Sequence, residues 1–378
     1  MQRTLGIGLA GPGWIGSVQL RKLAARPDVH IAAVHSPHAD RTMELLDELR
    51  IDRGRYQPDY AAMLAQDDVD AIWIASPNVH HGAQSIAALQ AGKHVFCEKP
   101  ATTTYAEHVK LQQLALACPQ RRTFVDYVLY FNPLERRLRE MISAGLLGTL
   151  SQVQVNYRHP INISDRKAWK LKKSVMGDAI SMGINHALSV MYWIFQANGQ
   201  YPTSVFATAE ESLVRPFEPE PIWNIFVTFS GGGTGFCFGN IDFNNGYDAY
   251  HNVSGTEGAF VFDPVQAPPH KVRYWSKQRA GGQWLWPLDP VTCAQADLEE
   301  FAWKEGCTTP DSGDVLDHGL DDAIESFIES IHNDEESALS FIRTAAIADI
   351  GWAAQISALT GERVDLPLNA DHVSSLLS

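Results

Sequence analysis

An apolar run over residues 4–10 stops at Gly11-Pro12-Gly13-Trp14-Ile15-Gly16 and passes into a helical pattern, Ser17-Val18-Gln19-Leu20-Arg21-Lys22-Leu23. Strand, glycine turn and helix in that order commit the start of the chain to a βα unit whose turn presents backbone N–H groups. The overlapping series Gly6-Ile7-Gly8-Leu9-Ala10-Gly11 has the same spacing, but opening the turn at Gly6 leaves only residues 1–5 for a strand and drops Pro12 just inside the helix. The later register is therefore adopted. In it Gly11 makes the tight turn, Gly13 lets an anion approach the backbone, and Gly16 allows close helix–strand packing. The helix start, with Trp14 and Ile15, then faces a pyrophosphate.

Ile31-Ala32-Ala33-Val34 reads as a second buried strand, ending about twenty residues after the last glycine, where a ribose-reading residue is expected. That place holds Ser36-Pro37-His38, with Arg41 a turn later, and no carboxylate to accept a 2'-hydroxyl or repel a 2'-phosphate. The expected cofactor is thus NADP rather than NAD, read by Ser36, His38 and Arg41. A solvated loop and helix start is the alternative for His38 and Arg41. Strand and helix patterns then alternate, with strand over residues 71–75 and 94–97 and helix over 83–91 and 105–117, as in a doubly wound parallel sheet. Such a sheet delivers its strand ends to one crevice. Glu98-Lys99-Pro100 closes the strand Lys93-His94-Val95-Phe96-Cys97, so Lys99 is expected beside a nicotinamide ring. Proline narrows the direction of that lysine whichever isomer its peptide bond takes.

A chain of 378 residues, 45% hydrophobic and 20% charged, is long enough for two domains with cores of their own. A net charge of -14 without a sustained basic run argues against nucleic acid or an anionic membrane surface as partner, and a small polar molecule fits better. Cys97, Cys118, Cys237, Cys293 and Cys307 are scattered without a C-x-x-C pair, so neither a disulfide framework nor a metal site is expected. With no cleavable apolar leader, twin arginine or long apolar stretch, the expected setting is a reducing cytoplasm.

Beyond Phe124-Val125-Asp126-Tyr127 the pattern changes to period-two strands, among them Val153-Gln154-Val155-Asn156-Tyr157, Ile225-Phe226-Val227-Thr228-Phe229 and Ala259-Phe260-Val261-Phe262. The expected fold is α/β. Residues 1–124 form an N-terminal Rossmann domain with a doubly wound parallel sheet, and residues 125–378 a C-terminal α/β domain with a large open, mostly antiparallel sheet. Helices over residues 179–195, 321–331 and 338–359 are expected to cover one face of that second sheet. Its other face is expected to meet further copies of the chain, as a homodimer or homotetramer.

The chain resembles the Gfo/Idh/MocA oxidoreductase family almost from end to end. The resemblance rests on the glycine turn, Ala75-Ser76-Pro77-Asn78-Val79-His80-His81, the stretch from Ala88 to Pro100, Phe131-Asn132-Pro133, Gly145-Leu146-Leu147-Gly148, Gly255-Thr256-Glu257-Gly258 and Leu359-Thr360-Gly361-Glu362-Arg363-Val364. It implies a nicotinamide cofactor and commonly a sugar or polyol substrate. It also implies that Ser76, Pro77, Asn78 and His81 line the cofactor, that Glu98 and Lys99 reach its nicotinamide end, and that Trp169 contacts it.

Oxidising a secondary alcohol needs a base for the hydroxyl proton and a cation for the developing alkoxide. Lys99 supplies the cation; a surface ion pair with Glu98 is its plainer role. For the base the resemblance points to His186, in Gly183-Ile184-Asn185-His186. In the family this histidine follows an aspartate by one helical turn. Here that position is Met182, which neither orients nor charges an imidazole. Asp178 lies about 12 Å from His186 along a continuous helix axis and contributes only if the chain is irregular near Gly177 or Gly183. Asn185, Tyr127, Tyr130 or a water are the other orienting groups. Without the resemblance, His186 reads as a helix histidine bonded to a backbone carbonyl.

The expected function is an NAD(P)-dependent dehydrogenase or reductase acting on CH–OH groups of a carbohydrate or related cyclic alcohol. An NAD-dependent glycoside hydrolase and a non-catalytic sensor are the alternatives. Tyr274, Trp275, Trp284, Trp286 and Trp303 read as subunit interface rather than sugar platform. Arg158, Arg166, Lys167, Lys170, Lys172 and Lys173 read as a solvated loop rather than an anion site.

Overall fold

Glycines at positions 6 and 8 let β1 (Leu5–Ala10) lie at the centre of a sheet: a Cβ on Gly6 would sit 1.8 Å from Asp68 O, and one on Gly8 3.0 Å from the Ile72 side chain. The competing glycine series is thus a packing feature of the strand. The computed structural model describes residues 4–370 apart from 162, 164, 243–245, 267–271 and 286–318, and beyond them 373, 376 and 377. The chain divides into two compact units. One comprises the chain up to Tyr127 with Ser174–Gly177 and Asp321–Ala345; the other comprises Val128–Lys173, Asp178–Leu320 and the chain from Ala346 onward.

In the first unit β1 is joined by β2 (Val29–His35), β3 (Tyr56–Gln57), β4 (Ala71–Ile74), β5 (His94–Cys97) and β6 (Thr123–Val125), all parallel, in the order β3-β2-β1-β4-β5-β6. The connecting helices are α1 (Trp14–Ala24), α2 (Ala39–Glu48), α3 (Tyr60–Leu64), α4 (His81–Gln90) and α5 (Tyr105–Ala117). Strand order reverses between β1 and β4, the switch point at which such sheets bind ligands.

Trp73 of β4, Phe96 of β5 and Phe124 of β6 are register partners and stack as three aromatic rungs, 3.7 Å and 4.8 Å between successive ring centroids. Their cover is a correction to the sequence reading. The helix expected over residues 321–331 belongs to the first unit, where Phe327 turns its edge to Trp73, Phe96 and Phe124 at 5.6, 5.6 and 5.9 Å. Its amphipathic pattern fits either sheet; a flat aromatic face on the first decides between them. Salt bridges from Lys22 to Asp321 and from Arg26 to Glu325 hold its polar side to α1 and the turn after it.

The second unit begins with α6 (Pro133–Ser143) and β7 (Leu150–Arg158). α7 (Lys173–Met176) marks the crossing between units, and α8 (Asn185–Ala197) follows. Then come β8 (Pro202–Glu210), β9 (Ile222–Phe229), β10 (Thr234–Asn240), β11 (His251–Gly255), β12 (Gly258–Phe262), β13 (Val272–Ser276) and β14 (Gln283–Leu285). The chain closes with α9 (Leu320–His332), the helix that carries Phe327, then α10 (Ala345–Thr360) and β15 (Val364–Asp365). The sheet runs β14-β13-β12-β11-β7-β10-β9-β8-β15; the β7–β10 pair is parallel and the other pairs are antiparallel. Gly235 and Gly239 on β10 make room for Met191 and Ile184, since a Cβ there would lie 2.1 and 2.6 Å from those side chains. On the opposite face the register partners Phe206, Phe226 and Phe236 form an outward row across β8, β9 and β10. Phe206 and Phe226 keep 39% and 36% of their surface exposed.

Two helical expectations shift. The helix expected over residues 179–195 opens with a π turn, Ile180–Ile184, before α8. The last helix starts at Ala345 rather than 338, after a series of turns.

Candidate active site

Ala10, Ile74, Cys97 and Val125 stand side by side at the carboxyl ends of β1, β4, β5 and β6. The residues that follow each strand therefore line one edge: Gly11, Ala75-Ser76, Glu98-Lys99 and Asp126. Backbone bonds from Ala75 N to Ala10 O, Glu98 N to Ile74 O and Asp126 N to Cys97 O, each 2.8 Å, extend the ladder one step beyond the strands.

At the first position Gly11 has φ +86°, and a Cβ there would lie 2.5 Å from Ser76 backbone atoms. A Cβ on Gly16 would meet Gly11 O at 2.2 Å, whereas one on Gly13 meets nothing within 4 Å. The open side of the turn is thus at Gly13, where α1 starts without an acidic residue in its first turn and with Trp14 exposed. That cradle fits a pyrophosphate. Gly16→Ala is expected to lower stability by about 2–3 kcal/mol, because overpacking against backbone outweighs the roughly 1 kcal/mol gained in helix propensity. Urea unfolding checks it; a stability at or above wild type contradicts the packing role.

Lys99 follows β5 and is half-buried, with a cis bond to Pro100. Behind it lies a buried carboxyl cluster: Gln19 of α1 donates from Nε2 to Glu98 Oε1 at 2.8 Å and to Asp126 Oδ2 at 3.2 Å. Burial raises the pKa of both acids, and for Asp126 the charge of Glu98 adds to it, while Lys99 opposes both shifts. Burial lowers Lys99, and the two carboxyls resist that. Nothing in the sequence marks Gln19, and the one signal for Asp126 is that it ends an apolar run much as Glu98 does.

Ser36 is buried at the end of β2; its hydroxyl accepts from His38 N at 3.1 Å, and His38 and Arg41 are exposed at the start of α2. Ser76 donates to Gln84 Oε1 at 2.7 Å, Pro77 opens a short 3-10 turn, and buried Asn78 donates to Met176 O at 2.9 Å. His81 is buried with both ring nitrogens 2.7 Å from carbonyls, those of Pro100 and Ser76. The two carbonyls favour an imidazolium, yet burial outweighs them and holds the ring's pKa below its usual value. Asn78 and His81 therefore tie loops together inside the unit.

In the second unit, between Asp178 and Met191 only Met182 and His186 retain solvent exposure. The irregularity near Gly183 is real: Asn185 N bonds Ile180 O across the π turn, a feature frequent at functional sites. Asp178 serves that turn, accepting from Ser181 N and Oγ at 2.8 Å each and from Gln355 at 3.3 Å. Asn185 donates to Ser181 O, and Tyr130 packs under Arg139 and against Trp193. The ring beside His186 is Tyr157, 5.7 Å away and tilted by 33°, with Tyr247 and His159 completing an aromatic group. In the sequence Tyr157 is one residue of a period-two strand, with no signal of a role beside His186.

Trp169 lies in the 3-10 helix Asp165–Leu171 with Lys170 Nζ 5.9 Å from its ring centre. Arg158 forms a salt bridge with Asp248 at 3.6 Å. Trp275 and Trp284 pair across β13 and β14, while Trp286, Trp303 and the side chains of Arg166 and Lys167 lie outside the described residues.

A parallel sheet in this order with a glycine turn after its first strand defines a dinucleotide-binding Rossmann unit. The chain belongs to the Gfo/Idh/MocA oxidoreductase family: residues 5–125 match its NAD-binding Rossmann fold and residues 136–261 its C-terminal domain. It is 30% identical to an inositol 2-dehydrogenase of Salmonella paratyphi B over 68% of this chain and 73% of that one. It is 28% identical to a D-xylose 1-dehydrogenase (NADP(+)) of Hypocrea jecorina over 51% and 53% of the two chains. The fold is shared with the crystal structure of myo-inositol 2-dehydrogenase from Lactobacillus plantarum, with TM-score 0.75, 18% identity, and 96% and 99% coverage.

Proposed function

We propose that the chain oxidises or reduces a secondary alcohol or ketone of a sugar, polyol or related cyclic molecule, using a nicotinamide dinucleotide. The observation that carries this reading is the shared edge on which the glycine turn, Ser76 and Glu98-Lys99 stand in register. When bound, the nicotinamide supplies the hydride acceptor or donor. Gly11, Gly13, Trp14, Ile15 and Gly16 hold the pyrophosphate; Ser76, Pro77, Asn78, His81, Glu98 and Trp169 shape the rest of its site. Lys99 polarises the substrate oxygen and stabilises an alkoxide. His186, half-buried on its helix beside Tyr157, exchanges the hydroxyl proton. Relatives named for inositol and xylose oxidation support a polyol or sugar substrate.

NADP is the proposed cofactor: Ser36 and His38 rather than a carboxylate follow β2, and Arg41, next to Asp40 in the first turn of α2, supplies a cation for a 2'-phosphate. Met182 in place of an acid favours a second reading, a sensor that binds the same ligands without turnover. The test is absorbance of reduced nicotinamide with NAD⁺ or NADP⁺ and pooled sugars, polyols and inositols, run also in reverse with keto-sugars. Turnover lost in Lys99→Ala supports the dehydrogenase. Silence in both directions rejects it in favour of the sensor, and sugar release without absorbance change favours a hydrolase.

The row Phe206, Phe226 and Phe236 supports assembly through the second sheet as a homodimer or homotetramer. Sedimentation velocity is expected to give an oligomer, and a monomeric mass removes this part of the reading.

A further inference from the structure

Gln19, Glu98 and Asp126 come from α1 and from the ends of β5 and β6, and meet inside the first unit with 0%, 9% and 3% of their surfaces exposed. One amide nitrogen bridges both acids, at 2.8 Å from Glu98 Oε1 and 3.2 Å from Asp126 Oδ2, so the two buried carboxyls are neighbours. Two adjacent buried carboxylates cannot both ionise at ordinary cost. With Lys99 as the cation acting on both, the cluster is electrically balanced when the pair has released one proton and kept one.

We propose that Glu98 and Asp126 share a single proton, and that Asp126, acting through Glu98, is a positioning residue that sets the charge and direction of Lys99. The positioning role rests on the reading of Lys99 given above; the shared proton does not. The other titratable groups near the pair supply no compensating charge. Burial raises Cys97 of β5 and Tyr127 after β6, so both stay neutral, and His81 of α4 spends both ring nitrogens on the carbonyls of Pro100 and Ser76. Asp126 Oδ1 has no hydrogen-bond partner, as suits an acid whose contacts are made through its other oxygen. A pair holding one proton titrates as a unit.

Infrared spectroscopy of the full chain tests the shared proton directly. The carbonyl stretch of a protonated carboxylic acid is expected to persist at neutral pH in the wild type. It is expected to vanish in both Asp126→Asn and Glu98→Gln, where the remaining carboxyl ionises against Lys99. Absence of the band in the wild type, or its survival in both variants, overturns the proposal; if one variant does not fold, the other and the wild type decide.

Turnover tests the positioning role. Asp126→Ala is expected to lower kcat about tenfold with the cofactor KM unchanged, and Asp126→Asn, which keeps the neutral acid's shape and donor, to restore most of it. An unaltered kcat in Asp126→Ala overturns the positioning role even where the band is present. A wild type without turnover sinks the dehydrogenase reading, while the infrared band still decides whether the proton is shared.

Discussion

Lys99→Ala is expected to reduce kcat for alcohol oxidation by about a hundred- to a thousandfold, the loss seen when one preorganised donor to a developing oxyanion is removed. The reasoning starts from the strand. β5 is held between β4 and β6, so its end is fixed, and Lys99 projects from a rigid edge rather than a loose loop. A cation there acts on charge that appears only in the transition state, so kcat and kcat/KM should fall together while dinucleotide affinity stays near wild type. Lys99 also balances the carboxyl pair, so the variant should melt earlier, and the melt has to be recorded beside the kinetics. Lys99→Arg should recover little, because a planar guanidinium does not replace a compact ammonium at one oxygen. Unchanged kcat in a folded Lys99→Ala protein would remove the lysine from the chemistry.

The largest loss of stability is expected at a residue far from the chemistry in sequence. Phe327→Ala should cost about 3–5 kcal/mol, since the side chain is fully buried and the flat rungs beneath it are unable to collapse into the gap. The stack of Trp73, Phe96 and Phe124 is held by strand register, leaving the space left by Phe327 open. Loss of three edge-to-face contacts adds to the cavity term. Guanidinium unfolding followed by tryptophan fluorescence reads both the midpoint and the surroundings of Trp73. A change below about 1 kcal/mol, typical of surface sites, would mean that α9 is not part of that core.

The glycine turn was legible because an apolar strand, three glycines and a helix leave one workable register, and Gly6 and Gly8, which blurred it, serve packing in β1. β5 and α5 were legible for similar reasons. The two-residue β3 was not, since Tyr56-Gln57 is too short to show a period. α9 was read as a helix, but its sheet was not, because an amphipathic stripe says nothing about which distant strands offer a matching face. In the sequence Asp126 is only a charge at a change of texture. Its meaning depends on Cys97 and Val125 standing in register, which a linear reading does not deliver. The π turn before His186 was only half visible. Gly183 hinted at irregularity, and the close approach of Tyr157, 2.8 Å from where a Cβ would sit, explains why glycine is there.

The placement of α9 also sets a timetable for biosynthesis. The parallel sheet is complete once Val125 has been made, yet the helix that roofs its aromatic rungs is encoded after residue 320. At roughly 5–20 residues per second, a nascent chain would carry that sheet uncapped for about 10–40 s, with Trp73, Phe96 and Phe124 open to wrong partners. The chain thus has reason to engage a chaperone early, and its first unit, although first to be translated, is among the last parts to be finished.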